Sequence, residues 1–588
     1  MNSFRIFIFF VLVWHINQPS VKAQTKKLYL NHSDSSLFVD TFIEFSQVEK
    51  YIQTHKILAI QNGFLEYDFN SIQSFEDSIS ISATFGPKTE KIELEIDSES
   101  SRILGLQNTR LQSSLSPDKI KSYLFQILKY WENRGYPFVS AKLSNVYYSE
   151  SMVYAKILVE KGKFFTYDTL EIIGNAKLSS KFLMTYLNIK PNQIYNEENI
   201  KDIEKKLRSL SFITPSKPTT IQFIGNKAKP ILYLNQRNND LVDGIIGMAP
   251  NNNTTLGNPR FLLTGEFKIK LSNLFQSAKT FNLNWRSFRE RSQELNIQSQ
   301  LPFLMGSNLG ADFSMYFLKY DTLFTQLQFN IGATYHYAGM NKIKFYYQIE
   351  RNSLITIDTQ AIKSQKKLPT SQAININTWG IENTIDKLNY PFNPSKGYKL
   401  VLNVGIGKKS ILKDIRIQNL VIENNQGEKY SLYDSIETVI NRVNFNFNFD
   451  KFFDLGKKNV LRTNLYGQGL ITPTIYFNEL YRFGGVYSLR GFNEQSIFAS
   501  TYSILNIEYR YLLNKNSNLL LFWNGAWYEN RSIINSERVT DTPYGFGIGA
   551  NIETGAGIFT FAYALGKEFN NSINLQTGKI HFGISALF

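Results

Sequence analysis

Beyond Asp240 the chain alternates polar and apolar residues in long unbroken runs. The clearest runs are residues 280–286 and 443–449, in which every second residue is Phe, Leu, Trp or Val. A period of two indicates an extended strand whose two faces meet different surroundings. The polar face carries Asn, Gln, Ser and Thr instead of the Lys and Glu of a soluble β-sandwich. This combination predicts an antiparallel transmembrane β-barrel with its apolar face toward lipid. A secreted β-solenoid is the main alternative, although the sequence shows no fixed short repeat.

The alternating pattern can be divided into about sixteen strands. They are predicted near residues 240–249, 262–272, 279–288, 293–301, 308–319, 322–335, 340–351, 372–385, 398–406, 440–449, 459–470, 501–511, 518–528, 543–553, 556–566 and 577–588. An even count is typical of bacterial barrels and places both barrel ends on the periplasmic side. Residues 391–397 then form a periplasmic turn, whereas 407–439 and 471–500 form extracellular loops.

Ahead of the barrel, the pattern mixes helices with strands in three units of about 70 residues, the size of small domains. Helical spacing predicts a helix over 42–60, and strands 78–84 and 91–96 are expected to be joined across residues 86–88. The predicted domains are 24–98, 99–166 and 167–236, followed by the barrel at 237–588. One irregular α+β domain ahead of the barrel is the alternative.

The N-terminus has the pattern of a secretory signal peptide, residues 1–23. Arg5 precedes a nine-residue apolar run, Ile6 to Trp14, which is too short to span a bilayer, and Val21-Lys22-Ala23 resembles a cleavage site. No later stretch of 18 apolar residues occurs. We therefore expect an exported mature protein that starts at Gln24 and has no transmembrane helix.

Composition excludes several classes of function. The chain has no Cys, which excludes disulfides, thiolate metal sites and a cysteine nucleophile. The formal net charge is +15, but no block of five or six Lys or Arg appears, so nucleic acid is not an expected partner. The five histidines show no ligand spacing, and no nucleophile elbow or phosphate loop occurs. We expect no enzymatic activity, no metal and no cofactor.

One glycine-rich stretch, residues 482–492, lies between two predicted strands. Gly484, Gly485 and Gly491 allow backbone conformations and close approaches that other residues resist. Arg490 offers a planar guanidinium that can bind a carboxylate through two parallel hydrogen bonds. A solvated surface loop is the simpler interpretation.

These residues resemble the BamA/TamA outer-membrane assembly superfamily. The most specific part is Arg482-Phe483-Gly484-Gly485 followed by Ser488-Leu489-Arg490-Gly491-Phe492. Weaker support comes from residues 394–397, from residues 545–549, and from helix stops at Gly63-Phe64 and Gly135-Tyr136, which resemble signatures of the family's periplasmic POTRA domains. The resemblance implies POTRA domains ahead of a sixteen-stranded barrel whose sixth extracellular loop folds into the lumen.

The resemblance also implies roles for individual residues. Arg490, with Gly484, Gly485, Gly491 and Phe492, would pin the sixth loop to an acidic residue of the barrel wall. Glu508 is the expected partner and Glu553 a less favoured one, while Asn524 occupies a position where the family normally has aspartate. The C-terminal residues Gly583 and Phe588 resemble the family's barrel insertion signal, although Ala586 departs from its usual aromatic residue.

The implied function is non-enzymatic and located in the bacterial outer membrane, with the N-terminal domains in the periplasm. Unfolded outer-membrane or secreted clients would bind the edges of POTRA sheets and enter the membrane through a seam between the first and last strands. Outer-membrane lipid and periplasmic or inner-membrane subunits are the other expected partners. The alternative is a two-partner secretion transporter that exports one specific protein through the barrel.

Overall fold

The computed structural model describes residues 26–585 apart from short gaps. The gaps are residues 33–34, 43–44, 63, 65, 76–77, 85, 87–90, 115–116, 150–151, 238–239, 251–260, 290, 391–392, 424–425, 486–487, 534–537, 555–556, 570–572 and 574–577. The predicted signal segment 1–23 and Phe588 lie outside the described residues. The chain divides into two compact units, one reaching Phe165 and including Ile194–Glu197, the other formed by Thr166–Gln193 and the residues from Glu198 onward.

The first unit contains two four-stranded sheets with helices packed on them. The first sheet and its helix comprise β1 (Lys26–His32), β2 (Ser35–Phe42), α1 (Phe45–Gln61), β3 (Asp68–Ser74) and β4 (Ser78–Thr84), with strand order β2-β1-β4-β3. The second comprises β5 (Lys91–Glu95), α2 (Ser98–Ile103), β6 (Arg110–Ser114), α3 (Pro117–Glu132), β7 (Ser140–Ser149) and β8 (Met152–Glu160), with order β6-β5-β8-β7. Ile127 of α3 is fully buried against Ile92 and Leu94 of β5, which explains the apolar face of that helix.

The prediction that strands 78–84 and 91–96 are joined as neighbours in one domain is wrong. β4 pairs with β1 and β3, whereas β5 pairs with β6 and, in parallel, with β8. The two strands belong to different sheets, so the domain boundary predicted at 98/99 falls one strand too late. Alternation identifies a strand but does not identify its partner, which depends on long-range pairing.

The second unit begins with a third small domain. It comprises β9 (Thr166–Tyr167), β10 (Glu171–Ile173), α4 (Ser180–Leu187), α5 (Glu197–Ser209), β11 (Ile213–Pro215), β12 (Thr220–Ile224) and β13 (Lys227–Gln236). β13 is central, with β9 and β10 parallel to it and β11 and β12 antiparallel. Leu183, Ile203 and Leu232 are fully buried, so both helices turn their apolar residues inward. A Cβ added at Gly174 would lie 2.2 Å from the Leu234 carbonyl oxygen, which explains why a glycine directly follows β10.

The barrel sheet follows the predicted strands closely. Its strands are β14 (Leu241–Pro250), β15 (Phe261–Leu274), β16 (Lys279–Arg289), β17 (Ser292–Leu301), β18 (Leu309–Tyr320), β19 (Phe324–Ala338), β20 (Asn341–Leu354), β21 (Ile374–Asp386), β22 (Gly397–Ile411), β25 (Val439–Gly456), β26 (Asn459–Ile471), β29 (Thr501–Leu512), β30 (Asn518–Asn530), β31 (Val539–Asp541), β32 (Tyr544–Thr554), β33 (Gly557–Lys567) and β34 (Lys579–Ser585). β31 and β32 both pair with β30 and act as one interrupted strand, which gives sixteen antiparallel strands as predicted.

Short elements lie in the connections of the barrel. They are α6 (Thr359–Gln365), α7 (Ile415–Gln418), β23 (Ile422–Glu423), β24 (Lys429–Tyr430), β27 (Tyr481–Phe483), β28 (Ile497–Ala499) and 3₁₀ turns at Leu304–Gly306, Leu432–Ser435 and Phe477–Glu479. β22 continues to Ile411 and pairs with β25, so the fifth extracellular loop is shorter than the predicted 407–439.

β30 illustrates why the barrel strands alternate. Leu519, Leu521 and Trp523 are 40% exposed or more on the outer face. Phe522 and Asn524, on the opposite face of the same strand, are buried inside. Apolar residues therefore face the bilayer, and the lumen receives both the amides and the aromatic side chains that pack on the sixth loop. This inner surface positions the candidate site.

Candidate functional site in the barrel lumen

The sixth extracellular loop, 472–500, folds back along the inner wall of the barrel. Its two ends pair as β27 and β28, and between them Gly484, Gly485 and Gly491 have φ values of +117°, +97° and +97°. Residues with side chains rarely adopt these conformations. Gly485 N donates to Leu489 O (3.1 Å) and Gly484 N donates to Ser488 Oγ (2.8 Å), so the two glycines are tied to the residues just before Arg490.

Apolar contacts hold this loop against the wall. Leu489 is fully buried, and Phe483 stacks on Tyr502 of β29 with ring centroids 4.6 Å apart. Phe492 belongs to the same buried cluster, which also contains Ala526 and other residues of β29 and β30. The loop therefore has its own hydrophobic core with the inner wall.

Two glycines of the wall allow the loop backbone to approach closely. A Cβ at Gly545 of β32 would lie 2.0 Å from the Arg490 carbonyl oxygen, and one at Gly566 of β33 would lie 2.7 Å from the Gly491 carbonyl oxygen. Neither position has room for a side chain while the loop is docked. Gly545, the first glycine of residues 545–549, is therefore required because the docked loop leaves no room for a side chain there.

Arg490 is the central polar contact of the loop. Its Nη2 donates to Glu508 Oε1 over 2.7 Å, and its Nε donates to Asn524 Oδ1 over 2.9 Å. The guanidinium carbon lies 3.9 Å from the ring centroid of Phe522, so one face of the group is covered by an aromatic ring. The structure therefore brings together Arg490, Glu508 and Asn524.

Glu508 serves three guanidinium groups rather than one. Arg462 Nη1 donates to Oε1 over 3.1 Å, and Arg510 donates to Oε2 through Nε (2.8 Å) and Nη2 (2.5 Å). Arg462 also binds both carboxylate oxygens of Asp450. Sequence reasoning missed Arg462, Arg510 and Asp450. Alternation already puts Arg510 on the same face as Glu508, but that Arg462 lies opposite Glu508 depends on strand register.

Asn524 also begins a row of amides across neighbouring strands. Its Nδ2 donates to Asn506 Oδ1, Asn506 Nδ2 donates to Asn464 Oδ1 (3.0 Å), and Asn464 Nδ2 donates to Asn448 Oδ1 (2.7 Å). This direction of donation leaves Asn524 Oδ1 as the acceptor that faces Arg490. An amide at this position can serve both neighbours, which an aspartate could not do without reversal of the row.

We expect Asn524→Asp to be tolerated and Asn524→Leu to weaken loop docking. Aspartate keeps an acceptor for Arg490 and adds negative charge beside three arginines, and the amide row can reverse to donate to it. Leucine removes the acceptor of the Arg490 Nε–H and the donor to Asn506 Oδ1, and leaving a buried polar group unpaired costs about 1–3 kcal/mol. Protease cleavage within residues 484–495 of the intact barrel measures docking. Faster cleavage in the aspartate variant than in the leucine variant would contradict this account.

Glu553, the less favoured candidate partner, does not reach Arg490. Its Oε1 accepts from Asn516 Nδ2 (2.5 Å) near the periplasmic end of β32, whereas Arg490 contacts that strand at Gly545. Eight residues of extended strand separate the two positions by about 26 Å. Gly583 lies in the last strand, β34, while Phe588 and Ala586 lie outside the described residues.

A second ion pair joins the first part of the sixth loop to the barrel wall. Lys409 of β22 and Glu479 are both fully buried, with Lys409 Nζ 3.0 Å from Glu479 Oε2. Glu479 Oε2 also accepts from the Tyr476 backbone N–H over 3.0 Å. Burial and the neighbouring Glu479 carboxylate raise the pKa of Tyr476 to about 12. Neither Lys409 nor Glu479 was anticipated from sequence, because they are 70 residues apart.

The described residues include no cluster of three or more His, Asp or Glu side chains with the spacing of a metal site. In the same part of the chain, no helix combines the length and apolar character required to cross a membrane.

Comparisons with known proteins were made for sequence and structure. The model of a family described as the Omp85 superfamily domain matches residues 269–588, more than half of the chain. A search of curated proteins finds no match. Among solved structures, CdiB from Escherichia coli is 14% identical with a TM-score of 0.49, covering 91% of this chain and 96% of its own. BamA from Haemophilus ducreyi lacking POTRA domains 1–3 is 13% identical with a TM-score of 0.41, covering 84% of this chain and 98% of its own.

Proposed function

Because this chain belongs to the Omp85 superfamily, whose members act in insertion or translocation of proteins at the outer membrane, we propose that it inserts client proteins through a seam of its barrel. Clients reach the seam after binding to the periplasmic domains, as unfolded outer-membrane or secreted chains. Outer-membrane lipid surrounds the barrel, and periplasmic or inner-membrane subunits are further candidate partners.

The observation that supports this proposal most is the edge of the barrel sheet. Within the described residues, β14 pairs only with β15, and β34 pairs only with β33, over seven residue pairs. A strand with an unpaired edge offers backbone N–H and C=O groups to a strand of another chain. A client strand could therefore add to either edge by the same hydrogen bonding that builds the barrel.

A second candidate, secretion of one partner protein through the lumen, is favoured by a different observation. A cavity of about 500 Å³ lies beside the sixth loop and is lined mainly by polar residues. Its lining includes Gln326, Gln328, Asn444 and Asn446. The lining also carries both signs of charge, for example Lys344, Glu382 and Arg482, so amides and mixed charges together could contact a passing polypeptide without favouring one sign of charge.

A disulfide across the seam separates the two candidates. The native chain lacks cysteine, so one cysteine placed in β14 (Leu241–Pro250) and one in β34 (Lys579–Ser585) introduce the only possible disulfide, and pairs of positions along the two strands are tested until one cross-links. We expect the oxidised variant to lose insertion of other barrel proteins and to regain it on reduction. Asn330→Cys with Gln348→Cys, which are directly opposite on β19 and β20, is the matched control and should remain active in both states.

The same experiment can also contradict the insertion proposal. If the oxidised seam variant supports normal levels of all other barrels, the insertion proposal fails. If depletion of the protein leaves those barrels unchanged while one secreted protein accumulates in the periplasm, secretion is the function.

A further inference from the structure

A pocket of about 480 Å³ lies between the third periplasmic domain and two barrel turns, all within the second unit. The domain contributes residues of α5, β11 and the segment that leads to the barrel, and the barrel contributes the connections β21–β22 and β29–β30. This volume is within the range of small-molecule sites. It is separate from the loop contacts around Arg490.

Described residues of the β21–β22 connection are hydrogen-bonded to the β29–β30 connection and to the first residue of β30. Tyr390 of this connection donates to Asn516 Oδ1 over 2.9 Å, and Asn393 Oδ1 accepts from Asn518 Nδ2 over 3.0 Å. Asn518 is buried at the start of β30, on the inner face of the wall. The pocket therefore lies beside the periplasmic end of the inner barrel wall.

All charged residues that line the pocket are cationic. They are Arg208, Arg237 and Lys515. Arg237 Nη1 donates to the Tyr390 hydroxyl over 2.6 Å, and Lys515 Nζ lies 4.8 Å from the centroid of the same ring. Arg208 Nε lies 3.8 Å from Glu204 Oε2 in a solvent-accessible pair, and Glu204 is not among the residues that line the pocket.

Two amide oxygens that line the pocket already accept two hydrogen bonds each. Asn389 Oδ1 accepts from the backbone of Ser395 and Lys396, and Asn514 Oδ1 accepts from the backbone of Asn516 and Ser517. These bonds stabilise the two connections themselves. The amide oxygens of the pocket are thus unavailable to a ligand that brings donors.

One buried donor of the pocket has no partner among the residues that the structure describes. Asn393 is 93% buried, and its Nδ2 makes no hydrogen bond to any described residue while its Oδ1 is bound to Asn518. A buried amide N–H without a partner is unusual and costs stability. Three cations with one unused donor, and with the amide acceptors occupied, match a ligand that supplies negative charge and lone pairs.

We propose that this pocket binds a carboxylate of a polypeptide chain that approaches the barrel mouth, either an acidic side chain or a free C-terminus. The proposal rests on the proposed function for the nature of the ligand, because under that function a client polypeptide approaches the barrel from the periplasmic side. The pocket then holds an acidic client segment beside the lumen before the segment reaches the seam.

Binding of a labelled peptide to the purified full-length protein tests the proposal. The probe is a fluorescein-labelled ten-residue Gly/Ser peptide with two Glu and a free C-terminus, and its partner has Gln in place of Glu and an amidated end. We expect fluorescence anisotropy to show binding of the acidic peptide only, weakened about tenfold in Lys515→Gln with Arg237→Gln and several-fold in Asn393→Ala. The matched control, Lys457→Gln with Lys458→Gln, removes equal charge from another periplasmic turn and should bind normally.

Three outcomes overturn the proposal: equal binding of both peptides, equal loss in the control pair, or displacement by millimolar inorganic phosphate as effective as displacement by unlabelled peptide. The last outcome would identify a general phosphate site. Gel mobility before and after heating confirms that each variant retains a folded barrel. Because binding is measured without client assembly, failure here is distinguishable from failure of the seam experiment.

Discussion

Replacing Glu508 with glutamine is expected to release the sixth loop from the barrel wall. The change leaves Arg490, Arg462 and Arg510 gathered around a neutral amide, whereas each now donates to the carboxylate. Removing one partner of a buried ion pair costs about 3–5 kcal/mol, and here one carboxylate serves three partners. We therefore expect the largest single effect of any polar substitution in the lumen.

Two measurements detect the effect of Glu508→Gln on the loop and on the barrel. Protease cleavage within residues 484–495 reports release of the loop, and the temperature at which the barrel unfolds on a gel reports its stability. Arg490→Ala is expected to give the same change in cleavage with a smaller loss of stability, because Arg462 and Arg510 still neutralise Glu508. The double variant should be less damaging than the sum of the two single variants, since contacting residues are not additive.

Arg482→Ala is the matched control for these substitutions. Arg482 belongs to the same loop, and its guanidinium carbon lies 5.5 Å from the ring centroid of Tyr320 on the opposite part of the wall. Normal protease resistance in Glu508→Gln, or an equal loss in Arg482→Ala, would show that the ionic cluster does not hold the loop.

Gly545→Ala is expected to displace the loop without removing any polar contact. The new methyl group would lie 2.0 Å from the Arg490 carbonyl oxygen, far inside van der Waals distance, and that oxygen belongs to the backbone. Overpacking of this kind typically costs about 1–3 kcal/mol, and a backbone partner has little freedom to relax. We expect faster cleavage of the loop and impaired assembly of client proteins.

Gly332→Ala provides the control for Gly545→Ala. Gly332 is also a barrel-strand glycine, but its nearest contacts are carbons of the flexible Lys344 side chain at 2.9 Å. The lysine can move aside, so loop cleavage should match the unsubstituted protein. Equal resistance in both glycine variants would contradict the close contact between Gly545 and Arg490.

Much of the candidate site was accessible from sequence. Alternation placed Glu508 on an inward face, and the resemblance singled out Arg490 and Asn524. The choice between Glu508 and Glu553 required register, because both are acidic residues of barrel strands. Lys409 and Glu479 were not foreseen, since neither belongs to a motif and their contact joins a strand to a distant loop.

The amino-acid pattern by itself determined the sixteen-stranded barrel and the helix-and-strand character of the region before it, because local periodicity reports which faces are buried. Tertiary structure alone decided that β4 and β5 belong to different sheets and that one carboxylate binds three arginines. It also decided which acceptors in the periplasmic pocket are already used. These features depend on pairing between residues far apart in the chain, and a period of two carries no information about which strands become neighbours.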